Sequence, residues 1–364
     1  MKTFQCTQCG SLVFFNDLVC VTCRHALGFD PEVLSLRAVG PEEGGDIDGP
    51  WRFCRNHADH QACNFLVAAD DPDGYCVSCR QTRVIPNLEV PGNRQRWATI
   101  EHAKRRLYYT LAKLGLENAR SSDAPLPTPV YEFREDVPGE EPVMTGHANG
   151  LITLNIAEAD DTERTRRRTH LHEPYRTLLG HLRHEVGHFY WDLFFPNNSP
   201  ALEQFRQLFG YERTDYGQAL QRHYTSGPPA DWPAHHVSSY ATMHPWEDWA
   251  ETWAHYLHLM DLLETAAHFQ MQFSLQGPGE AVITRCQDPY APGDAQTSPT
   301  AFTELLSQGM ATSLVLNSLN RSLGQDDAYP FALSTPVLEK LGFVHEVVRN
   351  IHPVPLPQTP TTLQ

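Results

Sequence analysis

His184-Glu185-Val186-Gly187-His188 reads H-E-x-x-H, and the rest of the chain is best understood outward from it. On a helix, residues i and i+4 share a face, so both imidazoles reach one metal ion. Glu185 projects beside them, where a carboxylate can take a proton from a metal-bound water. The stretch after Pro174 runs to Phe195 without another proline. Pro174 suits a first helical position, and Pro196-Asn197-Asn198 stops the run. Leu178, Leu182, Val186, Phe189 and Leu193 recur at helical spacing as one apolar stripe. His184 and His188 fall about 140° from the centre of that stripe, on the side of Gly180, Gly187, Trp191 and Phe195. The pattern predicts a helix covered on one face and lining a cleft with the other.

A catalytic zinc takes three protein ligands and keeps one position open. Trp191 and Phe194 stand where H-E-x-x-H-x-x-G-x-x-H would need its glycine and third histidine, which excludes the metzincin type. Further on, Pro245-Trp246-Glu247-Asp248-Trp249-Ala250-Glu251-Thr252-Trp253-Ala254 places Glu247 and Glu251 one helical turn apart. One carboxylate can bind a metal while the other accepts a hydrogen bond from a ligand histidine. The plainer reading is a solvent-facing acidic stripe. The interleaved Trp246, Trp249 and Trp253 argue for burial, and buried carboxylates need partners. This E-x-x-x-E after H-E-x-x-H resembles the third-ligand helix of gluzincins, the thermolysin-like branch of the zincins. The resemblance implies Glu247 as ligand and Glu251 as its supporting carboxylate, with Asp248 the alternative ligand. Tyr240 precedes Glu247 by seven residues, a spacing similar to that in lethal-factor-like toxin zincins. That similarity implies a tyrosine stabilising the tetrahedral intermediate, against a tyrosine packed for structure.

Eight of the nine cysteines lie within the first 79 residues. Cys6-x2-Cys9 and Cys20-x2-Cys23 are ten residues apart, the spacing of two knuckles that close one tetrahedral thiolate site. Cys54, Cys63, Cys76 and Cys79 form a less regular second set in which only the last two make a knuckle. His57 or His60 can replace a cysteine there. Four cysteines are favoured, because eight then divide into two complete sites. Two disulfides are the competing reading. It is disfavoured because the chain starts MKTFQCTQCG, without an apolar signal segment. Cys286 stands alone and reads as a packing residue.

CTQCG, CVTC, CNFLV, CVSCR, GHANGLITLN, HLRHEVGHFYWD, EDWAETWAHYLH and DAYPFALS together resemble a bacterial family of zinc-binding metallopeptidases with an N-terminal zinc-ribbon domain. The resemblance spans nearly the whole length and implies a gluzincin-like hydrolase.

The 364 residues, 41% of them hydrophobic, suffice for a sizeable core and two or three domains. No apolar run approaches the roughly 20 residues of a membrane span, which with the thiolate sites points to the cytoplasm. Net charge is −16, and residues 1–85 hold 7 Lys and Arg against 11 Asp and Glu. The basic footprint of a nucleic-acid binder is missing. The arginine run at Arg164, Arg166, Arg167 and Arg168 reads as a solvated helix face. Gly40–Pro50 reads as a loop, Pro86–Gly92 as a linker and Pro125–Pro129 as a break. Ile100–Leu116 predicts an amphipathic helix packed onto the catalytic part. Gly150–Ile156 reads as a strand and is the candidate edge strand for pairing an extended peptide, against an ordinary interior strand. Pro299–Leu323 and Pro336–Asn350 predict helices, and the Pro/Thr-rich tail predicts disorder.

The predicted fold class is α+β: a zinc-ribbon pair, then a mostly helical zincin-like domain with a small β-sheet. The expected divisions are a ribbon region at 1–85, a linker and amphipathic helix at 86–125, and a catalytic core at 126–270. A helical region at 271–352 and a disordered tail at 353–364 complete them. The expected function is peptide-bond hydrolysis with three zinc ions, one catalytic at His184, His188 and Glu247, two structural in the cysteine sets. Glu185 is the expected general base, and Tyr240 and Glu251 assist. The ribbons are expected to present a peptide or protein partner, with neither membrane nor nucleic acid involved. A zincin-fold adaptor without catalysis is the rival, and Glu185 speaks against it, since a scaffold has no need of a base.

Overall fold

In a computed structural model of the chain, the eight N-terminal cysteines gather into two groups of four. The structure describes residues 2–40, 49–117, 127–160, 163–164, 177–195, 200–275, 282–291 and 299–351. Most of the Gly40–Pro50 loop, the start of the Pro125 break, the arginines after Arg164, Pro174, the Pro196-Asn197-Asn198 stop and the tail from Pro353 lie outside them. The chain forms two compact units, Met1–Asp161 and Thr162–Pro353.

The first unit begins with short antiparallel ribbons. β1 (Phe4–Gln5) pairs with β2 (Leu12–Val13), β3 (Ala26–Asp30) with β4 (Ser35–Gly40), and β5 (Trp51–Phe53) with β6 (Leu66–Ala68). Gly10 and Arg24 follow the second cysteine of each knuckle at φ +73° and +64°. Their N–H groups return to the Cys6 and Cys20 carbonyls at 2.8 and 2.9 Å. This left-handed step turns both thiols of a knuckle to one side. Glycine adopts it freely, and Arg24 at about 1–2 kcal/mol. Two short helices follow, α1 (Arg55–Ala58) with Cys54 at its N-cap and α2 (Val77–Arg80) with Cys76 at its N-cap and Cys79 inside it, so that three of the second cysteine set sit on them.

A long helix, α3 (Asn93–Lys113), completes the ribbon core. Tyr109 meets Phe4, Phe15 and Phe29 edge to face, with centroids 6.4, 5.9 and 6.1 Å apart. Arg105, also buried, donates to Asn64 Oδ1 at 2.9 Å and to the Ala62 carbonyl. The periodicity of this helix predicts an apolar face packed on the catalytic part; its tyrosines fill the ribbon core, and the same helix also packs against the 3-10 turn Ile156–Ala159 and lays Lys104 over Tyr131 and Phe133. Small metal-bound ribbons expose aromatics that one amphipathic helix can cover, and the apolar stripe alone does not name its neighbour.

A four-stranded sheet follows, ordered β7 (Thr82–Val84), β8 (Val130–Arg134), β10 (Leu151–Asn155) and β9 (Gly146–Ala148). β10 runs parallel to β8 along its length and antiparallel to β9 over Leu151–Thr153. It is therefore an interior strand, which overturns its reading as a substrate-pairing edge. Its backbone groups already face strands on both sides, and alternation of side chains reports burial, not edge position.

The second unit is mostly helical: α4 (Leu178–Phe194), α5 (Pro200–Phe209), α6 (Tyr216–Ser226), α7 (Pro245–His268), α8 (Pro299–Ser322) and α9 (Thr335–Ile351). The last two form where their periodicity predicts them. One two-stranded ladder, β11 (Gln272–Leu275) with β12 (Val282–Arg285), follows α7. α7 is the central helix, with Trp249, Trp253, Tyr256, Leu257, Met260 and Leu263 all buried. Phe195, Phe205, Phe209 and Phe343 surround Trp249 at centroid distances of 4.9–6.2 Å. Fully burying such side chains contributes about 1.5–3 kcal/mol each, so α7 is held without help from its polar groups. Cys286 is buried with its Sγ 3.3 Å from Thr312 Oγ1 and serves packing. Among the described residues no helix is long and apolar enough to cross a membrane.

Candidate metal centre

α4 starts at Leu178, where the Thr177 side chain caps it by accepting the Gly180 N–H at 2.9 Å. The cap is a threonine oxygen that satisfies a donor at the open helix end. Arg183, His184, Glu185, Val186, Gly187 and His188 are all buried. The histidine side is thus not an open cleft wall; it packs against α7. Gly187 makes the approach possible. A Cβ there would lie 3.1 Å from Ala250 Cα and from the Trp253 ring. Trp249 Nε1–H then donates to the Gly187 carbonyl at 2.9 Å, pinning the two helices. Gly187→Ala should cost about 1–3 kcal/mol by overpacking, because the Ala250 backbone it meets cannot rotate away. Urea unfolding would measure it, and metal titration should show weaker binding at the centre. An unchanged midpoint would mean that the helix spacing is not set here.

The close helices bring three acceptor atoms together. His184 Nε2 and His188 Nε2 are 3.2 Å apart, and Glu247 Oε2 lies 2.9 and 3.5 Å from them. Ligands about 2.0–2.1 Å from a tetrahedral zinc would stand about 3.3 Å apart, so the triangle has the size zinc requires. Glu247 Oε2 is buried and accepts no well-aligned hydrogen bond, although its twin oxygen does. Three acceptors facing one point repel each other unless a cation lies between them. Glu185, Glu247 and Glu251 supply three carboxylates beside two imidazoles, and that excess of negative charge also favours a cation. The residues therefore fit a bound zinc.

Glu251 supports this triangle. Its Oε1 lies 2.7 Å from His184 Nδ1, and its Oε2 accepts from Ser238 Oγ at 2.6 Å. Burial opposes ionisation of Glu251, but the His184 imidazole and the Ser238 hydroxyl outweigh it and hold the carboxyl at about 2. A carboxylate on Nδ1–H fixes the tautomer that presents Nε2 to a metal. Asp248 does not join them. It turns to Lys340 of α9, 2.6 Å away, and burial pushes its carboxyl up to about 7 even beside that ammonium. The adjacent residue on a helix points about 100° away, so Glu247 and Asp248 cannot share one site.

Four further side chains close the surroundings. His181 Nε2 lies 3.1 Å from Glu185 Oε1, one helical turn away. Tyr216 donates its hydroxyl to Glu247 Oε1 at 2.9 Å. The Trp246 ring lies against His188, with centroids 3.9 Å apart. Tyr240, in a short 3-10 turn at Tyr240–Thr242, stands 6.0 Å from the His184 ring. Sequence reasoning missed His181, Tyr216 and Ser238. The i, i+4 spacing of His181 and Glu185 was the available signal for the first. Nothing in the sequence ties Tyr216 to a carboxylate 31 residues on.

Both cysteine groups have the dimensions of thiolate cages. Cys6 and Cys23 are 3.6 Å apart between sulfurs, Cys9 and Cys20 3.7 Å, and Cys63 and Cys76 3.7 Å. Sulfurs about 2.3 Å from a tetrahedral zinc stand about 3.8 Å apart, whereas a disulfide needs about 2.05 Å. Backbone N–H groups of Phe65, Cys76 and Cys79 point at the sulfurs of Cys63, Cys54 and Cys76 at 3.3–3.4 Å. The two histidines near the second set serve elsewhere. His57 Nδ1 bonds the Cys63 carbonyl at 2.7 Å, and His60 meets Arg94 and Trp97.

A family model described as "Putative zinc-binding metallo-peptidase" matches residues 93–347, and a model for a zinc-ribbon domain matches residues 3–90. Uncharacterized proteins of Mycobacterium bovis and Mycobacterium tuberculosis are 41% identical to the chain over 355 residues, 97% of its length and 97% of theirs. No solved structure matches it. Since the first match covers more than half of the chain and fits a centre with the size and charge for zinc, the protein belongs to this zinc-binding metallo-peptidase family, with a zinc-ribbon domain at its N-terminus.

Proposed function

We propose that this protein hydrolyses peptide bonds at a zinc centre held by His184, His188 and Glu247. The observation that carries the reading is the triangle of Nε2, Nε2 and Oε2 atoms with the buried Glu185 on the same helix turn. Bound there, zinc would lower the pKa of a water towards 7 and polarise the scissile carbonyl. Glu185 takes the proton and returns it to the leaving amine. Burial alone would raise its carboxyl, but the His181 hydrogen bond and the charges of His181, His184 and His188 hold it below the usual range. It is therefore ionised and able to accept. His181 orients that carboxylate, and Glu251 orients His184. Burial and the Glu247 charge push the Tyr240 phenol up, so it stays protonated and able to donate to the oxyanion. The ribbons are proposed to present a peptide or protein partner, and their thiolate cages suit a reducing compartment such as the cytoplasm.

Substrate trapping on Glu185→Gln tests the activity. Peptides retained by that variant, identified by mass spectrometry, should be missing from a Glu185→Gln, His184→Ala double variant. Equal retention by both would sink the reading. The reading also requires three zinc ions per chain, and freshly purified protein should approach that number. A mild chelator should remove one ion well before the other two, because an open site exchanges faster than a closed cage. Metal content near one, with disulfides among the first eight cysteines, would be incompatible with the two cages.

A further inference from the structure

Glu247 has two oxygens, and the structure treats them differently. Oε2 faces His184 Nε2 and His188 Nε2 at 2.9 and 3.5 Å. Oε1 accepts the Tyr216 hydroxyl at 2.9 Å. Tyr216 is the first residue of α6, set by the Asp215 cap, whose side chain accepts the Gln218 N–H at 2.8 Å. Its ring is held beside His244 and Trp246, with centroids 5.4 and 6.2 Å away. A carboxylate only accepts, so the Tyr216 proton goes to Glu247. One phenol thus donates to one oxygen of the carboxylate and leaves the other facing the two imidazoles.

We propose that Tyr216 is a positioning residue that confines Glu247 to a single ligating oxygen, so that the metal keeps a position open for water. This rests on the zinc-hydrolase reading above. The physical reason is competition. A carboxylate binds a metal through one oxygen or through both, and a hydroxyl held on Oε1 stabilises the one-oxygen mode by about one hydrogen bond to a charged group. Without that donor, Oε1 is buried with the metal as its nearest partner and turns towards it. The position that water would take is then occupied by protein. Tyr216 is 38% exposed, whereas Glu247, which its hydroxyl bonds, is 2% exposed.

Cobalt substitution at this centre in the full chain tests the assignment. The labile zinc is stripped with a mild chelator, the two thiolate cages stay loaded, and cobalt(II) is added back. The parent should give the intense visible absorption of a four-coordinate ion. Tyr216→Phe keeps the ring and removes the donor. It should still take up one cobalt, its absorption should fall towards that of a five-coordinate ion, and kcat should drop about 10- to 100-fold with KM little changed. Tyr240→Phe leaves Oε1 bonded to Tyr216 and should keep the parental spectrum. A Tyr216→Phe spectrum superimposable on that of the parent overturns the proposal while leaving the metal centre intact. A weak, five-coordinate spectrum in the parent overturns it without any variant. A parent that takes up no cobalt here overturns both the centre and the inference.

Discussion

Glu185→Gln should retain zinc at His184, His188 and Glu247 and lose hydrolysis by several orders of magnitude. Glutamine keeps the shape of the side chain and cannot accept the proton. General-base catalysis accounts for about 10²–10⁴-fold by itself, and the loss of water activation adds to that. The comparison becomes decisive with two neighbours. Glu247→Gln removes an anionic ligand from the triangle of 2.9, 3.2 and 3.5 Å, so zinc itself should bind more weakly. Glu251→Gln keeps the ligands but disturbs the 2.7 Å contact that orients His184, and should cost about 10- to 100-fold in metal affinity or activity. One peptide substrate and one metal titration give the ordering. If Glu251→Gln released zinc while Glu247→Gln held it, the roles of the two carboxylates would be reversed. If Glu185→Gln left activity unchanged, the mechanism would be wrong and the centre would be a metal site without this chemistry.

The second large effect is at the other end of the chain. Cys9→Ser should release one zinc and unfold the first knuckle pair. Structural zinc supplies about 10–16 kcal/mol of folding free energy in zinc-finger peptides, more than a small ribbon can replace. The consequence should spread within the unit. Cys6, Cys20, Cys54, Cys63, Cys76, Phe15, Phe29 and Phe65 border one continuous core, so loosening the first cage exposes the wall of the second. Cys63→Ser, which removes a buried ligand, should therefore release both zincs. The His184, His188 and Glu247 centre should keep its metal in either variant, because the second unit has its own core around Trp249 and Trp253. Metal analysis paired with near-ultraviolet circular dichroism reads both outcomes. Loss of all three metals from Cys9→Ser would join the units into one cooperative fold.

Much of the site is legible in local chemistry alone. H-E-x-x-H carries its meaning in its spacing, because i and i+4 share a helix face whatever surrounds them. The same geometry makes Glu247 and Glu251 a pair, and thiol spacing in the first knuckles announces a cage. His181, also one turn from Glu185, is open to the same argument. Tyr216 and Ser238 are not legible, since they reach their carboxylates through a chain reversal that no spacing encodes.

What the sequence determined by itself is therefore which side chains are candidates to hold a metal and, for the histidines and glutamates, the helices that bear them, since these follow from spacing within one or two turns. Only the tertiary structure decided which neighbours those elements take. Tyr109 and its helix went to the ribbon core, β10 became an interior strand, and Asp248 turned to Lys340 and away from the centre. It also decided the distance between α4 and α7, which Gly187 allows by having no Cβ to set against Ala250. The physical reason is the same in each case. An apolar stripe or a strand edge gains free energy from any complementary surface, so its sequence records that it must be covered and not by what.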